Sequence, residues 1–322
     1  MANNIKITTE AGKPEVVIEV EFDYPRELIF QAYTNPELYK SWHGPRDLEM
    51  TLVQFEPHDG GSYKFVHTDK NGKEHIFHGV YHEVSYPERI IDTFEYEGLP
   101  EKGHVILETL KFIDLGNNRS KIISQSLYQS VEDRDGMINS GMEKGVNESF
   151  ERMEELLKDI MNRNELVITR EFNATKEKVF EVWTQPKFIK KWWGPMGYSA
   201  PIVKINLKNG GDYLYSMKGP DGNLNWSGGE FHIVDSPNSI TLTDYFADKK
   251  GNKIDPSIYG LDSNFPKESN VTIKFEDNDC KTKLIIIYKL PESKEGRIAI
   301  IKNRMEEGWN SSLDKFQKLV EK

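Results

Sequence analysis

The sequence predicts an α+β fold that is built twice, as two tandem domains at 1–162 and 163–322. We expect each domain to be a curved antiparallel sheet wrapped around a long C-terminal helix, with two short helices after the first strand. Two observations support this. A 26-residue stretch recurs 150 residues later, and each copy continues through several strand patterns to a long amphipathic stripe.

The repeated stretch runs from Val20 to Pro45 and again from Arg170 to Pro195. Ten of its 26 positions are identical without a gap. The identical pairs are Glu21/Glu171, Phe22/Phe172, Glu27/Glu177, Phe30/Phe180, Thr34/Thr184, Pro36/Pro186, Lys40/Lys190, Trp42/Trp192, Gly44/Gly194 and Pro45/Pro195. A repeat of this period has the size of a domain, so it indicates a duplicated domain and not a solenoid.

The first domain opens on a strand, because apolar and acidic residues alternate in Val16–Phe22. We expect a short helix after Pro25, since proline suits the first helical turn, and a second one from Pro36 to Trp42. Residue Asn173 or Thr175 is expected to cap the equivalent helix of the second copy. Further strands are predicted at Leu48–Phe55, Ser62–His67, Ile76–Val84, Ile90–Tyr96, Val105–Ile113 and Lys121–Leu127.

One long helix is predicted to close each copy, because apolar residues recur at helical spacing over five turns or more. A curved sheet around such a helix commonly leaves a space between the two. The stripe of the first copy is Met142, Val146, Phe150, Met153, Leu157 and Ile160. The stripe of the second copy is Ile298, Ile301, Met305, Trp309, Phe316 and Val320.

The second copy is longer than the first. The spacing between equivalent residues is 150 up to the Gly60–Tyr63 motif and beyond, but 163 between Met142 and Met305. The second copy therefore has 13 extra residues. We place them in 247–269, because a stretch rich in Lys, Asp, Gly, Pro and Asn is typical of a long loop.

Composition limits the classes of function. The chain of 322 residues has a net charge of -10, of which 1–162 carry -13 (17 basic, 30 acidic) and 163–322 carry +3 (25 basic, 22 acidic). A basic footprint for phosphates is missing, so no nucleic-acid partner is expected. No apolar run is long enough for membrane insertion. One cysteine, Cys280, and the lack of an apolar signal segment predict a cytoplasmic protein.

The order of these motifs resembles the START-like, or SRPBCC, superfamily with its helix-grip fold, in particular the branch named after the activator of the heat-shock-protein-90 ATPase (AHSA-like). The resemblance covers nearly all of both halves. It rests on the acidic-Phe strand, the helix with Phe30/Phe180, Thr-x-Pro at Thr34/Thr184, Trp-x-Gly-Pro at Trp42/Trp192 and Gly-Gly-x-Tyr ending at Tyr63/Tyr213. Members include lipid and hormone binders, polyketide cyclases and oxygenase subunits, so the resemblance implies little about function. The eukaryotic activators also have a separate N-terminal region that binds the chaperone, and we expect no stretch of this sequence to correspond to it.

Three strands in each copy supply candidate ligand-binding residues, because their alternate side chains form aromatic columns that Asp or Glu interrupts. A buried carboxyl needs a partner or a ligand, and its pKa should rise. Packing in the core is the alternative interpretation, above all for the two tryptophans. The candidates are Trp42, Tyr63, Phe65, His67, Asp92, Phe94, Tyr96, Glu108 and Met142 in the first copy, and Trp192, Tyr213, Tyr215, Met217, Asp244, Phe246 and Met305 in the second.

Signatures of metal, cofactor and covalent chemistry are weak. His78 and His82 share a strand face, but His75 points to the other face, so the three cannot converge without a bulge. The chain also has no phosphate-binding loop, dinucleotide fingerprint or nucleophile motif. We therefore expect no metal, no cofactor and no catalytic residue.

Three functions remain open. The first is non-catalytic binding of a small hydrophobic or amphipathic molecule between sheet and C-terminal helix. The second is an enzyme of the cyclase, hydratase or hydrolase type, which predicts a carboxylate and a His or Tyr within about 3 Å in one pocket. The third is a protein-interaction or co-chaperone module, which predicts filled cores and a large exposed apolar patch.

Overall fold

The computed structural model describes residues 5–279 and 281–322, so Cys280 lies outside the described residues. The chain divides into two compact units, unit 1 (Met1–Asn162) and unit 2 (Arg163–Lys322). Each unit is an antiparallel sheet with helices, as the α+β prediction states. No helix of the described part is long and apolar enough to cross a membrane.

Unit 1 has an eight-stranded sheet with the order β1-β2-β8-β7-β6-β5-β4-β3. Its strands are β1 (Lys6–Thr8), β2 (Glu15–Phe22), β3 (Leu48–Phe55), β4 (Ser62–Asp69), β5 (Glu74–Ser85), β6 (Arg89–Tyr96), β7 (Ile106–Gly116) and β8 (Arg119–Leu127). Its helices are α1 (Arg26–Thr34), α2 (Pro36–Trp42), α3 (Val131–Asn139) and α4 (Met142–Asn162).

Unit 2 repeats this order in a seven-stranded sheet, β10-β11-β12-β13-β14-β15-β9. Its strands are β9 (Glu165–Phe172), β10 (Val203–Ile205), β11 (Asp212–Lys218), β12 (Leu224–Asp235), β13 (Ser239–Ala247), β14 (Glu268–Asn278) and β15 (Lys281–Lys289). Its helices are α5 (Lys176–Thr184), α6 (Pro186–Trp192), α7 (Lys294–Lys302) and α8 (Met305–Val320).

The closing helix of unit 2 differs from the prediction. The stripe from Ile298 to Val320 does not lie on one helix, because α7 ends at Lys302 and α8 begins at Met305. Arg304 between them has a φ of 51°, a left-handed backbone that cannot continue a right-handed helix. Only α8 therefore presents its stripe to the sheet as a continuous helix, with Leu313 and Phe316 fully buried.

The framework around the short helices is the same in both units. The Trp42 indole N–H donates to Ala32 O at 2.8 Å, and the Trp192 indole donates to Val182 O at 3.1 Å. Both rings are buried, at 2% and 1% exposure. These tryptophans tie α2 to α1 and α6 to α5, so their principal role is in packing.

The Gly-Pro turn after each tryptophan is attached to the closing helix by a cation. Arg152 on α4 donates to Gly44 O at 2.8 Å and to Ser41 O at 2.7 Å. Lys315 on α8 donates to Gly194 O at 2.8 Å. The turn and the closing helix therefore keep the same relation in both units, although the cation differs.

Candidate functional site

Unit 2 contains a pocket of about 240 Å³ between its sheet, α8 and the loop that precedes β14. A smaller cavity of about 40 Å³ lies deeper in the core. Asp244, Trp193, Tyr288 and Trp309 line both spaces. These four side chains therefore form the boundary between the pocket and the inner cavity.

Asp244 is the polar centre of this boundary. It accepts a hydrogen bond from the Tyr213 hydroxyl at 2.6 Å and one from the Tyr288 hydroxyl at 3.4 Å. Burial raises the pKa of Asp244 to about 6, against the two tyrosine hydrogen bonds, which lower it. The carboxylate is therefore mostly ionised at pH 7 and mostly protonated at pH 5.

A glycine makes room for the tyrosine that reaches Asp244. A Cβ on Gly229 would overlap the Tyr213 ring and the carbonyl oxygen of Thr243. Gly79 has the same relation to Tyr63 and Thr93 in unit 1. The glycine shared by both copies thus lets a tyrosine lie flat against the neighbouring strand and point at a carboxylate.

The walls of the pocket are mainly apolar and aromatic. Trp193 and Trp309 meet edge to face at 5.6 Å between ring centroids. Met217 and Met305 add flexible apolar surface, which adapts to ligands of different shape. Asn225, Ser227, Ser269, Asn303 and Ser312 are polar lining residues that offer additional hydrogen bonds.

The extra loop of unit 2 forms part of the wall. Leu261, Phe265 and Pro266 line the pocket. The Tyr259 hydroxyl donates to Ala247 O at 2.7 Å, and Phe265 packs on Phe246 at 5.8 Å between centroids. The sequence predicted a loop in 247–269, and the structure adds that this loop is ordered by its own contacts and covers one side of the pocket.

The candidate residues of unit 2 fall into three groups. Met217, Asp244, Phe246 and Met305 line the pocket, and Tyr213 and Tyr215 line the inner cavity with Asp244. Trp192 is in neither lining among the described residues and packs instead on Trp183 and Phe316. Its predicted place in a ligand site is therefore not supported.

Sequence reasoning missed Trp193, Tyr288 and the loop residues of the pocket. Trp193 occupies the variable position of Trp-x-Gly-Pro, which the motif itself leaves undefined. Tyr288 shares the buried face of β15 with Thr282, Leu284 and Ile286, so its pattern does not distinguish it from a core residue. The Tyr288 ring also packs on Trp309, with 6.1 Å between ring centroids.

The equivalent interior of unit 1 is more polar. The Tyr63 hydroxyl, which has a single proton to donate, lies 2.9 Å from Asp92 Oδ2 and 2.8 Å from Thr93 O. Glu108 accepts from Ser126 Oγ at 2.9 Å. The pKa of Asp92 is raised well above its usual range by burial and by the charge of Glu108, and burial also raises the pKa of Glu108.

The other candidates of unit 1 extend this interior toward one end of the sheet. Phe65 and Phe94 stack on either side of Phe77, which Tyr96 also contacts, with centroid distances of 5.0 to 5.2 Å. Trp42 packs against Phe150 of the closing helix. Met142 is half-buried in the first turn of α4.

Two histidines end this row, of which sequence reasoning identified only His67. His43 and His67 have ring centroids 5.9 Å apart. Burial lowers the pKa of His43 to about 3 and that of His67 to about 4. Both rings are therefore neutral at physiological pH. No group of three or more His, Cys, Asp or Glu side chains in the described part is arranged to hold a metal ion.

The sequence profile of one family, described as Activator of Hsp90 ATPase homolog 1-like protein, matches the chain twice, at residues 23–158 and 173–321. These two matches cover most of both halves. A comparison with curated protein sequences finds no match.

Solved structures resemble single units or the whole chain. A protein from Arthrobacter aurescens is 25% identical, with a TM-score of 0.43, over 50% of this chain and 87% of its own. One from Rhodobacter sphaeroides is 24% identical, with a TM-score of 0.45, over 48% of this chain and 99% of its own. The di-domain ARO/CYC BexL from the BE-7585A biosynthetic pathway is 10% identical, with a TM-score of 0.37, over 96% of this chain and 99% of its own.

Proposed function

The chain belongs to the family of Activator of Hsp90 ATPase homolog 1-like proteins, and from this premise we propose that unit 2 binds a small, mainly apolar molecule. The ligand places one hydroxyl or N–H group against Asp244 and its apolar body between the two tryptophans and the loop. The observation that carries this proposal is the apolar pocket of about 240 Å³ with a carboxylate at its inner end.

The size of the pocket limits the ligand. An apolar cavity of about 150 Å³ is enough to bind benzene. The pocket of about 240 Å³ is larger by more than half and suits a molecule of about two fused rings or a short branched chain. A donor group on the ligand is favoured because an ionised carboxylate only accepts hydrogen bonds. Asp244 accepts two from tyrosines, and its remaining lone pairs can accept another from the ligand.

The first experiment is native mass spectrometry of the purified protein, with identification of any molecule that it releases. We expect one bound molecule per chain. If the protein is purified without a ligand, we expect 2-naphthol, which has two rings and one hydroxyl donor, to bind and quench the tryptophan fluorescence. Naphthalene, which has no donor group, should bind more weakly. A protein that is purified without a ligand and binds neither 2-naphthol nor naphthalene would contradict the proposal.

A pocket-filling variant provides the structural control. Gly308 on α8 lines the pocket, and a Cβ at this position meets no atom within 4 Å. Gly308→Leu should occupy the pocket and abolish binding without lowering Tm, because leucine also favours the helix over glycine. Gly136→Leu on α3 of unit 1, where a Cβ also meets no atom within 4 Å, serves as the matched helical control away from this pocket. Unchanged 2-naphthol binding in a folded Gly308→Leu protein would place the ligand elsewhere.

The pH dependence of binding tests the role of Asp244. A ligand that donates to the carboxylate favours its ionised form, so its affinity should fall as pH drops through about 6, the pKa of Asp244. Asp244→Asn should bind 2-naphthol more weakly and lose this pH dependence. The measurement is a fluorescence titration of both proteins from pH 5 to pH 8.

An acid–base enzyme is a second candidate, because a tyrosine and a carboxylate lie 2.6 Å apart at the pocket. Such an enzyme would use the Asp244 carboxylate to remove a proton next to a carbonyl group of the ligand. The test is deuterium exchange at the α-carbon of α-tetralone in D₂O, followed by NMR. Deuterium exchange that Asp244→Asn abolishes would favour the enzyme, whereas binding of α-tetralone without exchange would favour non-catalytic binding. A protein-interaction module, the third function considered, predicts a filled core, and the pocket of unit 2 does not agree with that prediction.

A further inference from the structure

The interior of unit 1 holds a pair of carboxyl groups that unit 2 lacks. Asp92 on β6 and Glu108 on β7 are directly opposite each other in the antiparallel register. Side chains in such positions lie on the same face, with Cβ atoms about 4.5–5.5 Å apart. The equivalent opposed pair in unit 2 is Leu242 and Val271.

No basic side chain of the described residues forms an ion pair with either carboxyl. Tyr63 and Ser126 each donate one hydrogen bond to it. Within residues 5–279 and 281–322, no Lys or Arg is among the groups that act on either carboxyl. Asp92 is only 5% exposed, and its Oδ1 atom is buried without a hydrogen-bond partner. A buried carboxyl atom without a partner is costly, so this site lacks a donor.

Several tyrosine side chains lie near the pair. Five tyrosines have a pKa that burial raises and that the charge of one or both carboxyls raises further. They come from α1, α2, β4, β5 and the segment after β8, and they are Tyr33, Tyr39, Tyr63, Tyr81 and Tyr128. The faces of such rings attract a cation, most strongly where water is excluded.

Glu108 is the more accessible member of the pair. Glu108 is half-buried, although Ile106 and Leu110 on the same face of β7 are buried. Tyr33 and Tyr39 are also half-buried. A small group can therefore approach Glu108, beside which Asp92 is buried.

We propose that unit 1 contains a second binding site, which takes a small organic cation, an amine with an apolar body, whose charged nitrogen lies between Asp92, Glu108 and the nearby tyrosine rings. The cation supplies the missing donor and lets both carboxyls ionise. An anion is excluded by the carboxyls. The net charge of -13 in 1–162 adds a favourable long-range field for a cation.

Calorimetry on the full chain tests the class of ligand with two probes of the same shape. The first is 2-phenylethylammonium and the second is 2-phenylethanol, which differ in the charged group. We expect the amine to bind about tenfold more tightly or better, the range of a desolvated cation on aromatic rings. Equal affinities, or no binding of the amine at millimolar concentration, would overturn the proposal.

Proton release gives an independent readout. Burial raises the pKa of both acids, and a bound cation favours their ionised forms, so binding should release protons. The heat of binding should therefore depend on the ionisation enthalpy of the buffer. For benzyltrimethylammonium, which does not titrate, affinity should rise between pH 5 and pH 8. A heat and an affinity that depend on neither buffer nor pH would contradict the proposal.

Amide variants locate the site. Asp92→Asn and Glu108→Gln should each weaken the amine by about tenfold and reduce proton release, while circular dichroism melts confirm folding. Asp244→Asn is the matched control, because it neutralises the pocket acid of unit 2 by the same chemical change. It should leave amine binding unchanged while weakening 2-naphthol. Loss of amine binding in Asp244→Asn alone would assign the amine to unit 2 and overturn the second site.

Discussion

Unit 1 and unit 2 share a framework and differ in the chemistry of their interiors. In both, a tyrosine at the same position of β4 or β11 points at an aspartate of β6 or β13, at 2.9 Å from Tyr63 to Asp92 and 2.6 Å from Tyr213 to Asp244. The two aspartates are not equivalent in sequence, because Asp92 corresponds to Leu242 and Asp244 to Phe94. The tyrosine hydroxyl is the shared element, and the carboxylate has moved by one inward position along the strand.

The surroundings of the carboxylate make the two interiors different. Unit 1 adds Glu108 and two neutral histidines, His43 and His67, whereas the equivalent positions of unit 2 are Val271, Trp193 and Met217. Trp193 and Met217 line the pocket of unit 2. A duplicated framework has therefore retained its packing while the side chains that face the interior have diverged in polarity. The following changes test this separation, in order of decreasing effect.

The largest effect is expected from the shared framework. Trp42→Ala and Trp192→Ala each remove a fully buried indole and its hydrogen bond to the preceding helix. Each should lower the free energy of unfolding of its own unit by about 3–5 kcal/mol. Denaturant unfolding followed by circular dichroism measures this. Strongly unequal losses would show that the two frameworks are not energetically equivalent.

Exchanging the side chains at one equivalent interior position tests whether the two interiors tolerate a carboxyl group differently. Leu242→Asp places a second carboxyl beside Asp244 in an apolar core, and it should cost about 3 kcal/mol. Asp92→Leu in unit 1 removes a buried acid, leaves Tyr63 its bond to Thr93 O, and should change stability by less than about 1.5 kcal/mol. Equilibrium unfolding of both variants at pH 7 tests the expected asymmetry. A larger loss in Asp92→Leu would mean that Asp92 is structural.

The pH dependence of stability tests whether the pKa of Asp244 is raised in the folded state. Its folded pKa of about 6 lies above the unfolded value of about 3.9. Between these values the folded state binds more protons, so stability falls as pH rises from about 4 to about 6. Relative to Asp244→Asn, the native protein should lose about 2–3 kcal/mol over this window. Unfolding curves of both proteins at pH 3.5 and 7.5 measure the difference, and parallel pH dependences would contradict it.

The smallest effect concerns a difference in the framework itself. Asn35 caps α2 by accepting from Glu37 N at 3.0 Å and Leu38 N at 3.2 Å, whereas Gln185 at the same position of unit 2 makes no such bond. Asn35→Ala should cost about 1 kcal/mol, and Gln185→Asn should stabilise unit 2 by up to a similar amount. Thermal unfolding of the two variants compares them. No change in Asn35→Ala would indicate that water replaces the cap.

Much of the fold could be predicted because it depends on local patterns. Alternation identified the strand at Val16–Phe22, and Pro36 marked the start of α2, since both signals act on the nearest few residues. The short β1 was missed because three residues, Lys6–Thr8, are too few for a period to show. The break at Arg304 was missed because the apolar stripe continues across it while the backbone does not.

The sequence by itself determined the duplication, the order of the elements and the α+β framework, because each of these is recorded in spacing along the chain. Only the tertiary structure decided which carboxylate meets which tyrosine, that Trp192 packs while its neighbour Trp193 lines the pocket, and that the extra loop forms a wall. The physical reason is that a binding site depends on strand register and on the direction of each side chain. A shift of one residue reverses that direction, and the pocket is lined by residues as distant in sequence as Asp244 and Trp309.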